Sequence, residues 1–295
     1  MTSIQPSNRI LINSLPKSGT HLLTQAIEIF GYQEYATHLS YLKKMMNFWG
    51  LGPPRFLSYG AAKTALKKTM TSGSHPPDIR VGPFTSYYVN QPTIHYWLNS
   101  IPPGQYIQGH LPWSEALVPM LTGLNYRHLV IIRDPRAVIA SFIPFVLNAY
   151  QTDMGPHFLE QDFKSMSFRQ QLEFVLTGGY APKAGVEVRP FTEVFRAVLA
   201  WRNQPGCLFL RFEELVGPQG GGSLEQQVAV VRNIAAHLQV PFDEQIAARI
   251  KEIYNPAART FRIGKIDGWK QTIAADDLVR LNHYCEELCQ EAGYF

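Results

Sequence analysis

The sequence predicts an α/β protein, with a central parallel sheet flanked by helices, in a single domain over residues 1–295. Three observations predict it. Short apolar runs alternate with stretches of helical periodicity, the pattern of strand–helix–strand units. The run Arg127–Arg133 is nearly all apolar between its ends, which suits a strand buried on both faces of a parallel sheet. Two long stretches, about 35–104 and 143–200, are rich in aromatic residues, Pro and Gly. Such insertions are expected over the carboxyl edge of the sheet, where ligands bind.

Taken in order, Ile10 to Leu15 reads as the first strand. Leu22, Leu23, Ala26, Ile27 and Phe30 then share a helical face, and Gly31 offers a stop. Residues 32–104 read as irregular, with helices over Tyr41–Trp49 and Ala61–Met70 and a loop over 71–92, where Gly73, Pro76, Pro77, Gly82 and Pro83 fall. Gln105–Leu111 is the second strand, and Ser114 is expected to cap a helix through Leu121. Arg127–Arg133 is the third strand. Pro135 suits the start of the next helix, and Pro144 is expected to bend or end it. Residues 150–190 again read as irregular. A helix over Thr192–Arg202 and a fourth strand over Cys207–Phe212 follow. Gly220–Gly222 reads as a surface loop, and Ser223 caps a helix to His237. Helices over Phe242–Ile253 and Ala274–Glu291 complete the chain.

Composition narrows the function. Hydrophobic content of 45% and charged content of 17% suit a packed core rather than disorder. The net charge of +4 comes without a long run of Lys and Arg, so an anionic small molecule fits and a nucleic-acid partner is not indicated. The densest basic patch, Lys63, Lys67 and Lys68, reads as a solvated helix face. Three cysteines, Cys207, Cys285 and Cys289, make no disulfide framework and point to a reducing compartment. Cys285 and Cys289 lie one helical turn apart near His283, but no second ligand pair with zinc spacing accompanies them. No signal peptide and no apolar run of about eighteen residues is seen. A cytoplasmic protein without membrane contact is expected; homodimer formation stays open.

Four stretches carry chemistry. Between the first strand and helix sit Pro16, Lys17, Ser18, Gly19 and Thr20. A tight strand-to-helix turn points backbone N–H groups outward at a helix N-terminus, which is a ready anion site. Lys17 adds a positive charge; Ser18 and Thr20 add hydroxyl donors. The order is not the G-x-x-x-x-G-K-[ST] of the phosphoryl-transfer loop, because the lysine precedes the glycine. Second, Arg133 ends a buried strand, where an arginine is costly unless it meets an anion or carboxylate. Ser141 lies eight residues on, and together they suit a second phosphate. A network of Arg133 or Arg136 with Asp134 would use the same residues. Third, Arg262-Ile-Gly-Lys-Ile-Asp-Gly-Trp-Lys270 describes a basic loop whose backbone can approach an anion closely. Fourth, His110 ends the second strand, and an imidazole with a pKa of roughly 6.5 suits a general base.

Together and in this order, these stretches resemble the PAPS-dependent sulfotransferase family. The resemblance implies a P-loop-NTPase-like sulfotransferase fold. It implies that Lys17, Ser18, Gly19, Thr20 and His21 bind the 5′-phosphosulfate end of PAPS, and that Leu22 belongs to the same cofactor site on its adenine side. Arg133, Ser141, Arg262, Gly264 and Lys265 are implied for the 3′-phosphate, and Phe212, in Arg211-Phe-Glu-Glu-Leu215, for the adenine. His110, in His110-Leu-Pro112, is the implied catalytic base, with Lys17 at the leaving oxygen. Three positions depart from the family pattern, the first being His21 in place of a threonine. Leu22 replaces a tryptophan that stacks on adenine, and Gln108 replaces a lysine two residues before the histidine. The implied reaction is sulfuryl transfer from PAPS to a hydroxyl or amine of a small-molecule acceptor, releasing adenosine 3′,5′-bisphosphate (PAP), with no metal required. A nucleotide-dependent small-molecule kinase and a non-catalytic nucleotide-binding protein are the alternatives.

Overall fold

Ile10, Leu11 and Ile12 are fully buried because the strand that holds them has neighbours on both sides and helices on both faces. The computed structural model describes residues 8–35, 37, 39–48, 52–58, 60, 78–85, 87–148, 156–256 and 264–294. In chain order the strands are β1 (Arg9–Ser14), β2 (Gln33–Glu34), β3 (Phe56–Leu57), β4 (Ile79–Arg80), β5 (Tyr88–Val89) and β6 (Gln105–Gly109). They continue with β7 (Tyr126–Ile132), β8 (Gly179–Ala181), β9 (Val186–Val188) and β10 (Cys207–Arg211). The main sheet runs β10-β7-β1-β6-β2, with β3 also on β6, and all its pairings are parallel. The two small hairpins, β4–β5 and β8–β9, are antiparallel.

Side-chain alternation divides the core in two. Ile10, Ile12, Leu129, Ile131 and Leu210 pack with the helices Thr20–Glu28 and Leu224–Leu238. Leu11, Ile107, Val130 and Ile132 pack on the opposite face with the helices Pro135–Asn148 and Ala275–Ala292. The central strands β1 and β7, covered on both faces, therefore carry apolar residues at successive positions, and this is why they read clearly in the sequence.

The differences lie between the strands. Residues 91–99 form a helix rather than loop: the Asn90 side chain accepts from Thr93 N at 3.0 Å, and Ile94, Trp97 and Leu98 are buried. Residues 150–190 contain the helices Glu160–Lys164 and Phe168–Thr177 and the β8–β9 hairpin. Ser167 and Gln170 form a capping box for the second of these. Pro144 does not end its helix, which continues to Asn148; the missing N–H is tolerated because Phe142, Ile143 and Val146 are buried around it. Ser114 is not a side-chain cap; the helix there is Leu117–Gly123, and Leu117 N donates to the Ser114 carbonyl. Cys285 and Cys289 are buried on one face of the last helix with Leu281 and Leu288, as hydrophobic side chains. The expected helix over Ala61–Met70, with Lys63, Lys67 and Lys68, lies outside the described residues.

Candidate active site

The loops that follow β6, β1, β7 and β10 carry His110, Pro16–Thr20, Arg133 and Phe212. These four strands are neighbours in the sheet, so parallel pairing brings all four loops to one carboxyl edge. Lys17, Gly19, His110, Arg133, Ser141 and Phe212 line one cavity of about 540 Å³.

The loop after β1 is held in an uncommon conformation. Lys17 has φ 70° and Gly19 φ 102°, both left-handed. A Cβ on Gly19 would lie 2.8 Å from Phe212 Cδ2, so the position is closed to side chains by contact as well as by backbone angle. Ser18 N donates to the Leu15 carbonyl at 3.2 Å, which closes the turn. No side chain caps the helix that begins at Thr20, so its first turn is not closed off by one. The Ser18 hydroxyl is buried, and it has no hydrogen-bond partner among the described residues. Pro16, Lys17, Gly19 and Thr20 line the cavity around this turn, with the uncapped helix N-terminus beside them. Lys17 Nζ sits 4.8 Å from the centre of the Phe145 ring.

His110 is fixed by the neighbouring strand. Its Nδ1 lies 2.7 Å from the Ser14 carbonyl oxygen. A carbonyl only accepts, so Nδ1 carries the hydrogen and Nε2 of the neutral ring keeps its lone pair. Burial draws the imidazole down to about 4, against the Ser14 hydrogen bond, which raises it. Phe56 packs on the ring at 4.7 Å. Ser14 joins this residue to the cradle, because its Oγ lies 2.6 Å from Thr20 Oγ1.

The residue that holds the two strand ends together is Asn13, which the sequence reading missed. Its Nδ2 donates to the Leu111 carbonyl at 2.8 Å, and Leu111 N donates to its Oδ1 at 2.8 Å. Asn13 is fully buried and pairs in register with Gly109 on one side and Val130 on the other. The only sequence signal is a polar residue inside an otherwise apolar strand.

Arg133 faces the cavity because its neighbours pair with each other. Asp134 takes Arg136 in a two-pronged salt bridge, at 3.0 and 2.7 Å, and also accepts from Arg136 N. Arg133 is mostly buried; one NH2 donates to the Lys265 carbonyl at 3.0 Å, and the guanidinium lies 4.2 Å over the Phe212 ring. Ser141 lies half-buried on the following helix. Gly264 lines the cavity, whereas the Lys265 side chain is exposed and meets the site through its carbonyl. Gly220, expected at the surface, is buried; its carbonyl accepts from Ile266 N at 2.8 Å and so supports this loop from below. Arg262 lies outside the described residues.

Phe212 is only 5% exposed, covered by Gly19 on one side and Arg133 on another. Leu22, Val216, Ile253 and Tyr254 line the cavity beyond it. His21 lines the cavity beside Lys17, and burial followed by the Lys17 charge lowers its pKa. Gln108 also lines it, but its Nε2 donates to Glu34 Oε1 at 3.0 Å, and Glu34 is paired with Arg55. Phe56, Phe84, Phe142, Phe145, His157 and Phe158 also line the cavity, among smaller and polar residues such as Ser58, Thr85 and Thr272. Glu160 pairs with Lys164, and Asp162 is buried, accepting from Lys183 N and Ala184 N. Among the described residues no cluster of His, Cys, Asp or Glu is suited to a metal ion, and no helix is long and apolar enough to cross a membrane.

The parallel α/β sheet thus brings the Pro16–Thr20 turn, the buried Arg133 and His110 to one cavity at its carboxyl edge. The sulfotransferase domain family matches residues 7–293, and the chain belongs to that family; it is a sulfotransferase. Among solved structures it is similar to mouse sulfotransferase SULT7A1 complexed with PAP, at 16% identity and a TM-score of 0.54, over 96% of this chain and 84% of that one. It is also similar to a retinol dehydratase in complex with retinol and PAP, at 16% identity and a TM-score of 0.52, over 95% of this chain and 81% of that one. These likenesses are of fold. No curated protein matches the chain by sequence.

Proposed function

We propose that the protein transfers a sulfuryl group from PAPS to a hydroxyl or amine of a small-molecule acceptor and releases PAP. The observation that carries this reading is Ser14, whose carbonyl orients His110 and whose hydroxyl ties the Pro16–Thr20 loop, so base and cradle share one support. PAPS supplies the sulfuryl group on its 5′-phosphate, and PAP is the leaving group. Lys17, Gly19 and Thr20 at the cavity, with the uncapped helix N-terminus that starts at Thr20, support this placement of the phosphate. Lys17, Ser18, Gly19, Thr20 and His21 would hold that end. Arg133, Ser141, Gly264 and Lys265, with Arg262, would hold the 3′-phosphate. Phe212 serves as the floor under Arg133, and the wall of Leu22, Val216 and Tyr254 takes the adenine.

His110 Nε2 accepts the acceptor's proton, and an anion beside the ring lifts its pKa toward neutrality. Lys17 places positive charge where the leaving oxygen gains negative charge. Gln108 adds no charge, so Lys17 and Arg133 carry the neutralisation without a metal ion. Phe56, Phe84, Phe145 and Phe158, which fall within the stretches 35–104 and 143–200 and line the cavity, support an acceptor pocket there. A cytoplasmic setting is consistent with the free thiols of Cys207, Cys285 and Cys289.

Labelled PAPS offered with an acceptor panel, with and without EDTA, tests the reading. Transfer of label that EDTA leaves unchanged is expected. EDTA-sensitive phosphoryl transfer from ATP would make the protein a kinase, and PAP binding without transfer to any acceptor would make it a binding protein.

A further inference from the structure

A third histidine, His157, lines the cavity with His110 and His21, and the proposed sulfuryl transfer does not use it. Leu159 N donates to His157 Nδ1 at 3.2 Å. A backbone N–H only donates, so Nδ1 is an acceptor and the neutral ring carries its hydrogen on Nε2. This is the reverse of His110, whose Nδ1 is the donor. Protonating His157 would set two N–H groups against each other at Nδ1. Burial acts in the same direction and draws the ring down to about 4.

No group among the described residues accepts from His157 Nε2, and that nitrogen is not sealed in the core. The ring is enclosed by aromatic neighbours: Phe158 at 4.5 Å, and the edges of Phe142 at 5.6 Å and Phe145 at 5.7 Å. Phe145 is also the ring under Lys17 Nζ, so His157 stands one side chain away from the proposed transfer centre. The result is an apolar aromatic box holding one neutral hydrogen-bond donor.

We infer that His157 selects the acceptor, by donating from Nε2 to a keto, ester-carbonyl or ether oxygen that the acceptor carries apart from the hydroxyl it presents to His110. This rests on the sulfuryl-transfer reading above. Such an oxygen accepts from Nε2–H, whereas an ammonium has no lone pair to offer and a bare alkyl group leaves the donor unmatched. The acceptor class is therefore a neutral phenol or alicyclic alcohol bearing a second, proton-accepting oxygen. His157 is a specificity residue and takes no part in moving the proton.

The test uses the matched phenols para-hydroxybenzylacetone and para-butylphenol, in which the ketone is insulated from the reacting hydroxyl. Rates with PAPS are compared for wild type, His157→Phe, His157→Leu and His157→Gln. One neutral hydrogen bond is worth about tenfold. The Phe and Leu variants are expected to lose about tenfold in kcat/KM for the ketone, and to keep the butyl compound within about twofold. His157→Gln, which retains an N–H, should recover part of the difference, and stabilisation by PAP should be unchanged throughout. Equal losses for both phenols, no change for either, or a wild type that binds PAP and sulfates neither would overturn the inference. A wild type that does not bind PAP would instead overturn the sulfuryl-transfer reading on which it rests.

Discussion

Replacing Asn13 by alanine should uncouple the two strand ends that hold the base. In the wild type the Asn13 amide makes two 2.8 Å hydrogen bonds with the Leu111 backbone. The Leu111 carbonyl keeps a second donor, Trp201 Nε1 at 3.0 Å, so losing the amide N–H there is partly covered. Leu111 N has no such reserve, and Leu111 is fully buried. An orphaned buried N–H costs about 1–3 kcal/mol, and the space left by the deleted amide adds to it, so a loss of about 3 kcal/mol is expected. For a chain of this size that lowers the melting temperature by roughly 6–12 °C. Because Leu111 follows His110, kcat should fall as well, with PAP binding less affected. Thermal unfolding, with turnover measured well below the transition, provides the assay. An Asn13→Ala protein that melts within about 1 °C of wild type with unchanged kcat would refute the reasoning.

Two other outcomes follow from the same geometry. Ser18→Ala removes a hydroxyl that is buried without a partner, so the free protein should be as stable as wild type or slightly more so, while stabilisation by PAP falls; a destabilised free protein with normal PAP binding would contradict the cradle assignment. Burial lowers His110 to about 4, His128 to about 3 and His157 to about 4, so each takes up its proton in the unfolded chain first. Stability present above about pH 6.5 is then lost as pH falls, and His128 alone accounts for about 2 kcal/mol between about pH 6.5 and pH 5. Urea midpoints should drop over that interval; equal or higher midpoints at the lower pH would show that these rings are not held neutral.

What the sequence made legible, and what it hid, follows from the range of the interactions. β1 and β7 were readable because burial on both faces forces apolar residues into short runs, and β10 because Cys207–Leu210 is an apolar run even at the sheet edge. The Pro16–Thr20 loop was readable because its chemistry is local. Asn13 was not, because its partner is 98 positions away and its amide matters only once β1 and β6 lie side by side. Arg133 was separable from Arg136 only after the structure showed Asp134 taking the latter. The helices Gln91–Asn99 and Phe168–Thr177 were within reach: Asn90 with Pro92, and Ser167 with Gln170, are start signals that the surrounding Gly and Pro obscured. His157 carries no sequence pattern at all. Its role follows from the Leu159 N–H that fixes its tautomer and from phenylalanines that fold back onto it.

The central claim is that His110 is the base opposite a PAPS-binding cradle. The most direct measurement is sulfuryl transfer by His110→Ala alongside its affinity for PAP. Transfer should fall by about 10²-fold or more while PAP affinity stays near that of wild type, because His110 acts on the acceptor's proton and the cradle is built from other residues. Near-normal turnover in that variant would contradict the claim.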